Sequence, residues 1–486
     1  MNERLKKALM SRTIPEPRRI DFEENCCIIN NNLSVIVEFP ENSEPARQMI
    51  QARFLSYFGT EPNLKFNLSN EGLQPESYRA VVAPECITLT ASDRRGIDYA
   101  LKTLRQLAEP ERGAADFQHY VLQCCTIEDS PKMTFRGIHL CIFPETPMWV
   151  TEKQLRLAAS YKFNYAVIES WGVFPFKSHP EFCWPDCKKD ISEFEHLKEV
   201  AKECNITIIP QFNILGHASA SRSRTAKHAV IDFHPELQSL FEPSGWCFCL
   251  TNPDTKRFLT DLVLELHEFF DCPPFFHIGC DEADGLATCR ECAQHEMKEL
   301  VRSHIGYFHN LLSARNTRVI MWHDMLLNRT DPRWKDCNVC GDAELEALYQ
   351  ELPRDIVIAD WQYGLGQKDN KGMEFPTSSF LKKENFDVLM CPWMEIKGTK
   401  TIGAMVENHQ LFGILETTWN TAHATRFFHI FAPAAMAAWN GTDFKERLWW
   451  LDMSAHLRQI GYDMDIESYE KTGCSMNQVL TATCGG

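Results

Sequence analysis

The hydrophobic and polar positions of this chain follow two rhythms, which change near Ile127-Glu128-Asp129-Ser130-Pro131. Before that point, short apolar runs at 28–39, 64–68, 78–82 and 86–90 read as strands, with a helix expected over 43–58. Ile97, Ala100, Leu101, Leu104 and Leu107 recur at threes and fours, which predicts an amphipathic helix over 92–107 starting at Ser92 and Asp93. These elements predict a small α/β domain over 1–125, its basic first residues forming a short helix or tail. No cluster of catalytic residue types stands out in it, so its expected role is structural.

Beyond residue 126 apolar runs alternate with helical stretches. Strands are expected at 135–142, 163–169, 206–212, 274–279, 318–322, 356–361, 386–391 and 413–416. Helical spacing falls near 151–161, 192–204, 254–270, 294–313, 343–351, 374–384, 400–410 and 424–438. Eight βα units predict an α/β fold, a (β/α)8 TIM barrel over 126–440. A helix over 444–460 and a tail at 481–486 would complete a C-terminal segment, 441–486.

In such a barrel chemistry gathers at the C-terminal ends of the strands. The residues there are Glu169 and Trp171, then Gln211, Asn213 and His217, then Asp281 and Glu282. Trp322, His323 and Asp324 follow, then Asp360, Trp361, Gln362 and Tyr363, then Trp393 and Glu395, then Trp419 and Asn420. Flat aromatic walls suit the C–H faces of a sugar ring, and carboxylates between them suit its hydroxyls. The most informative stretch is Pro273 to Gly285. Its apolar half, Pro274 to Ile278, reads as a strand buried on both faces, and it ends in Gly279, Cys280 and the adjacent acids Asp281 and Glu282. Strand alternation would turn neighbouring acids apart, so a loop or bulge is expected to re-aim them.

Composition narrows the classes. A hydrophobic fraction of 44% and a charged fraction of 24% are those of a soluble globular chain. The net charge of −16 opposes nucleic-acid partners, and no run is long enough for a membrane span. The N-terminus lacks the apolar core of an export signal, so the 20 cysteines predict free thiols and a cytoplasmic setting. Two CxxC pairs, Cys289 with Cys292 and Cys337 with Cys340, could together hold a structural zinc; Cys183 and Cys187 are a weaker variant. Their wide separation makes free thiols the simpler expectation, and no cofactor or catalytic metal is expected. Nothing in the pattern selects between monomer and homodimer.

Five segments together carry a family likeness: Phe135-Arg136-Gly137, Pro210 through Gly216-His217, His277 through Glu282, Trp322-His323-Asp324-Met325 and Asp360-Trp361-Gln362-Tyr363. Over 129–440 the chain resembles glycoside hydrolase family 20, the β-N-acetylhexosaminidases, and most of all their hexosaminidase D branch. Residues 20–125 are similar to the small α/β domain that often precedes this barrel. The resemblance implies exo-acting hydrolysis of terminal β-linked GlcNAc or GalNAc from a glycan, with retention, the substrate's own acetamido carbonyl acting as nucleophile. It implies Glu282 as general acid and then base, kept protonated by burial among aromatics and by the Asp281 charge. It implies Asp281 as acceptor of the acetamido N–H and Arg136 as a partner of sugar hydroxyls. His217 and His277 would line or brace the pocket. Trp322, Trp361 and Trp419 would wall it, beside Asp324, Tyr363 and Trp393.

Departures from the family pattern bear on specificity. Gly137-Ile138-His139-Leu140-Cys141 lacks the usual first-strand aspartate, and Gln211 stands where an acid is usual. Pro392-Trp393-Met394-Glu395 replaces a Tyr-Leu-Asp segment, with Tyr363 as the substitute hydroxyl, and Trp419-Asn420-Thr421 lacks a glutamate. A sulfated sugar, or a barrel that binds glycans without turnover, is the alternative.

Overall fold

The computed structural model describes every residue except 1–2, 41–43, 70–71, 112–118, 145, 184–187, 220–229, 364–374, 394–398, 420–425 and 445–486. The chain divides into two units. One comprises the described residues up to Thr134, Ser160–Lys162 and those from Ala435 onward; the other comprises Phe135–Ala159 and Phe163–Ala434.

The first unit is built on β1 (Arg19–Ile29), β2 (Ser34–Phe39), β3 (Asn63–Leu68), β4 (Tyr78–Ala83), β5 (Cys86–Ala91), β6 (Glu109–Pro110) and β7 (Tyr120–Asp129). The main path runs β1-β7-β4-β5-β2-β3, with β6 paired to β7. Val35, Val37 and Phe39 alternate into the core, where helices Glu44–Phe58 and Arg94–Leu107 cover the sheet with Ile50, Phe54, Ile97 and Leu101. The second helix begins where expected, since Asp93 caps it by accepting from the Gly96 N–H at 2.9 Å. Glu3–Met10 forms the short first helix.

Two expectations need correction here. The run at 28–39 is not one strand: Asn30 accepts from the Asn32 N–H through its side chain and from Leu33 through its carbonyl, making a turn between β1 and β2. The expected domain limit at 125/126 falls inside β7, a ten-residue strand paired on both sides with β1 and β4. Its buried Cys124, Cys125 and Ile127 do belong to the first core, although the polar residues between them mask the alternation.

The second unit is the expected (β/α)8 barrel. Its strands are β8 (Phe135–Ile142), β9 (Tyr165–Ser170), β10 (Thr207–Gln211), β11 (Phe275–His277), β12 (Arg318–Trp322), β13 (Val357–Asp360), β14 (Asp387–Met390) and β15 (Gly413–Thr417). All pair in parallel with their neighbours, and β15 closes on β8. The interior is layered. Phe135 stacks on Tyr165 at 4.5 Å and meets Phe275 edge-on at 5.8 Å near the strand starts. Val167, Ile209, Ile320, Val357, Leu389 and Leu415 add to the same core. Toward the strand ends the inward positions turn polar and aromatic, which is where the fold leaves room for chemistry.

The helix expected over 343–351 is instead a 3-10 turn, Ala343–Leu345, and a single α-helical turn, Leu348–Glu351. Ala347, at φ +62°, breaks the spiral between them. Among the described residues, no helix is long and apolar enough to cross a membrane. The expected helix at 444–460 and the tail at 481–486 lie outside the described residues except at Phe444, as do Cys187, Glu395 and Asn420.

Candidate active site

β11 is only three residues long because the chain turns sharply after Ile278. Gly279, Cys280 and Glu282 have φ of +68°, +75° and +44°, all in the left-handed region. Gly279 is dictated by space as well: a Cβ there would lie 2.6 Å from Asn213 Cγ and 2.7 Å from Asn213 Cα. This is the re-aiming that two adjacent acids require. Strain of this kind persists where surrounding groups over-determine it.

Asn213, just beyond β10, is the main such group. Its Oδ1 accepts N–H groups from Leu215, Gly216 and Cys280 at 3.1, 3.2 and 3.1 Å. Its Nδ2 donates to Asp281 Oδ1. His217 Nε2 lies 3.3 Å from Asp281 Oδ2 and 3.5 Å from Glu282 Oε2, so one ring bridges the two carboxyl groups. The imidazole packs on Trp246 at 4.4 Å between centroids, and the Trp246 indole N–H donates to the Glu282 carbonyl at 2.6 Å. From the opposite side Asp324 accepts the Glu282 backbone N–H at 2.9 Å and the Trp361 indole N–H at 3.2 Å. The Glu282 backbone is therefore held on both flanks.

The two acids differ in environment. Asp281 is buried, whereas the Glu282 side chain is 50% exposed. The expected burial of Glu282 among aromatics is thus corrected: the positive φ that separates it from Asp281 swings it toward solvent. Burial acts on Asp324 instead. Desolvation first, helped by the Asp281 charge against the opposing His323, pushes Asp324 up to about 6.

The aromatic walls assemble around the same mouth. Trp322 is fully buried, 4.4 Å from the His277 ring, 5.5 Å from Trp419 and 5.6 Å from His139. Its indole N–H has no partner among the described residues. Trp361, Tyr363 and Trp393 form a row with successive centroids 5.3 and 5.2 Å apart. The Trp419 indole donates to the Tyr363 hydroxyl, which lies 3.2 Å from Thr417 Oγ1. His277 is a brace: its Nδ1 accepts the Gly279 N–H at 3.0 Å and fixes the turn.

The unusual residues of the first and third strands also meet. Glu169 accepts from Gln211 Nε2 at 2.6 Å and from the Trp171 indole at 3.2 Å, and lies 3.4 Å from His139 Nε2. Cys141 donates to Glu169 at 3.7 Å. A glutamine at 211 avoids placing a second anion against Glu169, so the second strand supplies the carboxylate of this corner.

Two groups of expected residues are not brought to the site. Arg136 is the second residue of β8, at the end of the barrel opposite Asp281. Phe135, His139 and Cys141 contact interior residues, so the period of two turns Arg136 outward, where it is buried. The two CxxC pairs do not join either. Cys289 and Cys292 lie with Cys249 and Glu242, while the Cys340 N–H donates to the Asp324 carbonyl at 2.9 Å in another loop. Trp246 was missed because it sits mid-loop rather than at a strand end; the surrounding Gly245-Trp246-Cys247-Phe248-Cys249 was its only signal.

A barrel of this topology with an acid pair at its mouth is the architecture of many sugar-processing proteins, and the comparisons sharpen that class. Glycosyl hydrolase family 20, catalytic domain, matches residues 189–393, and the same family's domain 2 matches residues 10–130. Together they span more than half of the chain, which belongs to glycoside hydrolase family 20. A beta-hexosaminidase of Vibrio furnissii is 26% identical over 293 residues, 53% of this chain and 47% of its own. A beta-hexosaminidase of Akkermansia muciniphila is 24% identical over 293 residues, 52% of this chain and 56% of its own. The chain thus spans about half the length of these curated relatives. Among solved structures, the beta-N-acetylhexosaminidase of Bacteroides fragilis shares the fold with a TM-score of 0.70 at 18% identity, over 92% of this chain and 95% of that one. The Streptomyces coelicolor enzyme gives 0.68 at 14% identity, over 93% and 97%.

Proposed function

We propose that the barrel is an exo-acting β-N-acetylhexosaminidase that cleaves terminal β-linked N-acetylhexosamine from a glycan with retention. The observation that carries this reading is the acid pair on one strained turn. Asp281 is buried and gripped by Asn213, while Glu282 is exposed and pinned through its backbone. Such a pair divides its labour. Asp281 accepts the acetamido N–H, orients the carbonyl oxygen beneath C1 and offsets the positive charge that develops on the ring it forms. Glu282 donates its proton to the glycosidic oxygen as the C1–O bond breaks and the carbonyl oxygen bonds to C1. The leaving alcohol departs and an oxazolinium remains; Glu282 then takes a proton from the water that attacks C1, the bond from C1 to the carbonyl oxygen breaks, and the acetamido group is restored. Two displacements at one carbon give retention.

The other site residues fit supporting parts. Trp322, Trp361 and Trp419 would enclose the acetamido methyl and the ring, and the Tyr363 hydroxyl, held by Trp419, would donate to the acetamido oxygen. His217 would keep the two carboxyl groups in register. The names of the Vibrio furnissii and Akkermansia muciniphila relatives support the sugar class. The free state of the described cysteines supports a reducing, cytoplasmic setting.

The test is release of nitrophenol from the β-linked N-acetylglucosaminide, N-acetylgalactosaminide and plain glucoside. Hydrolysis of an N-acetyl substrate but not the glucoside is expected. Asp281→Asn and Glu282→Gln should each lower kcat/KM by roughly a hundredfold or more. Glucoside turnover that survives Asp281→Asn would overturn acetamido assistance. Glycan binding without turnover of any substrate would overturn catalysis itself.

A further inference from the structure

A second constellation lies in the loops after β10 and β11. Glu242, Cys249, Cys289 and Cys292 each place one oxygen or sulfur atom within 4.8 Å of all the others. Cys249 Sγ is 3.7 Å from Cys289 Sγ and 3.6 Å from Cys292 Sγ. A disulfide would need about 2.05 Å. Four ligands around a zinc with Zn–S near 2.3 Å give a tetrahedral edge of ~3.8 Å, which is close to the spacing observed. We propose that Cys249, Cys289, Cys292 and Glu242 bind a structural Zn2+ ion.

The local structure supports this beyond distance. Glu242 is fully buried, a position a carboxylate occupies only with compensation. One of its oxygens accepts from the Thr288 N–H at 2.9 Å and from the Cys289 N–H. The other, Oε1, is buried without a partner among the described residues, and a bound cation would supply one. The Cys292 N–H points at Cys289 Sγ at 3.3 Å, and the Thr251 hydroxyl lies 3.2 Å from Cys292 Sγ. Donors of this kind stabilise thiolates around a metal. A soft S3O donor set favours zinc over magnesium or calcium. With four protein ligands it has no open position, so its role is to hold structure.

What it would hold is specific. Glu242 and Cys249 bracket the segment that carries Trp246; the Cys247 and Leu240 carbonyls accept from the Glu242 and Cys249 N–H groups at 2.8 and 2.9 Å. Cys289 and Cys292 follow the turn that carries Asp281 and Glu282. One ion would therefore tie together the two loops that meet where Trp246 holds the Glu282 carbonyl.

The experiment is metal analysis of the full chain purified without added metal, followed by Co2+ titration of the apoprotein. The expected result is one zinc per chain, and a cobalt form with the visible bands of tetrahedral Co2+ and thiolate charge-transfer absorption. Cys249→Ser and Cys292→Ser should lose the metal, whereas Cys337→Ser should keep it. If the Cys249 and Cys292 variants fail to fold, the cobalt spectrum of the unaltered chain still decides. Absence of both stoichiometric zinc and a tetrahedral cobalt spectrum would overturn the proposal. So would a native disulfide joining Cys249 to Cys289 or Cys292, or loss of zinc in Cys337→Ser alone.

Discussion

Asp324 shows how much one buried carboxyl group can reveal. It accepts two N–H groups, from Glu282 and Trp361, yet burial beside Asp281 holds its proton affinity high, at about 6. In the unfolded chain an aspartate titrates near pH ~4. Below that pH both states keep the proton. Between pH ~4 and about 6 the folded state keeps a proton that the unfolded state has released, so stability falls as pH rises through this window. Above it the loss is complete. Asp324→Asn removes this contribution, so the variant should gain on the wild type by on the order of 2 kcal/mol between pH 4 and pH 7. Urea unfolding of both proteins at a series of pH values reads the difference; a constant gap would mean that Asp324 is ionised throughout. The carboxylates were legible in the sequence because each follows a strand. Their environments were not. Glu282 was expected among aromatics and is exposed, because a backbone angle decides which acid faces water and no residue type announces it.

At the level of elements, the β11 turn is where sequence and structure agree most closely. The apolar run, the glycine and the acid pair called for a bend, and three left-handed residues provide it. Gly279→Ala should unfold more easily by at least about 2 kcal/mol, because its φ is unfavourable for alanine and the new methyl meets Asn213 backbone as well as side chain. Activity should fall with it, since Asn213 also positions Asp281. Thermal melts and kcat/KM measured together check both; a variant with wild-type stability would show that the turn is free to rearrange. Other elements were harder to read. β1 alternates charged and apolar residues on a sheet edge and turns apolar only in its last four, Cys26 to Ile29, while β7 hides its core positions behind polar neighbours, so most of β1 and all of β7 went unread. Arg136 illustrates a different limit. The Phe-Arg-Gly motif was visible, but strand direction and the period of two place it outside the barrel at the wrong end.

For the barrel as a whole, the sequence exposed the architecture because eight strands and their helices repeat one pattern. It exposed the mouth because polar residues follow nearly every strand. What it could not expose were contacts between loops, such as Trp246 with Glu282 or Cys249 with Cys289, since these depend on which loops closure makes adjacent. The closed barrel also makes a prediction that no single residue does. Asp281, Glu282, Trp322, Trp361, Tyr363 and Trp419 come from the ends of four strands, so a ligand that engages them all must stabilise the whole barrel. A thiazoline analogue of the cyclised amino sugar presents the ring and nitrogen of the proposed intermediate. At a free concentration one hundred times its Kd it should add about 2.7 kcal/mol to folding stability. A glucose of equal concentration lacks the acetamido-derived ring and should leave Tm unchanged. In Asp281→Asn the same analogue should bind more weakly and raise Tm less, because the carboxylate that meets the ring nitrogen is gone, while the Trp walls remain. Differential scanning fluorimetry of both proteins across a ligand series measures this. An equal gain in wild type and variant would mean that Asp281 does not touch the cyclised group, and that the aromatic walls alone hold it.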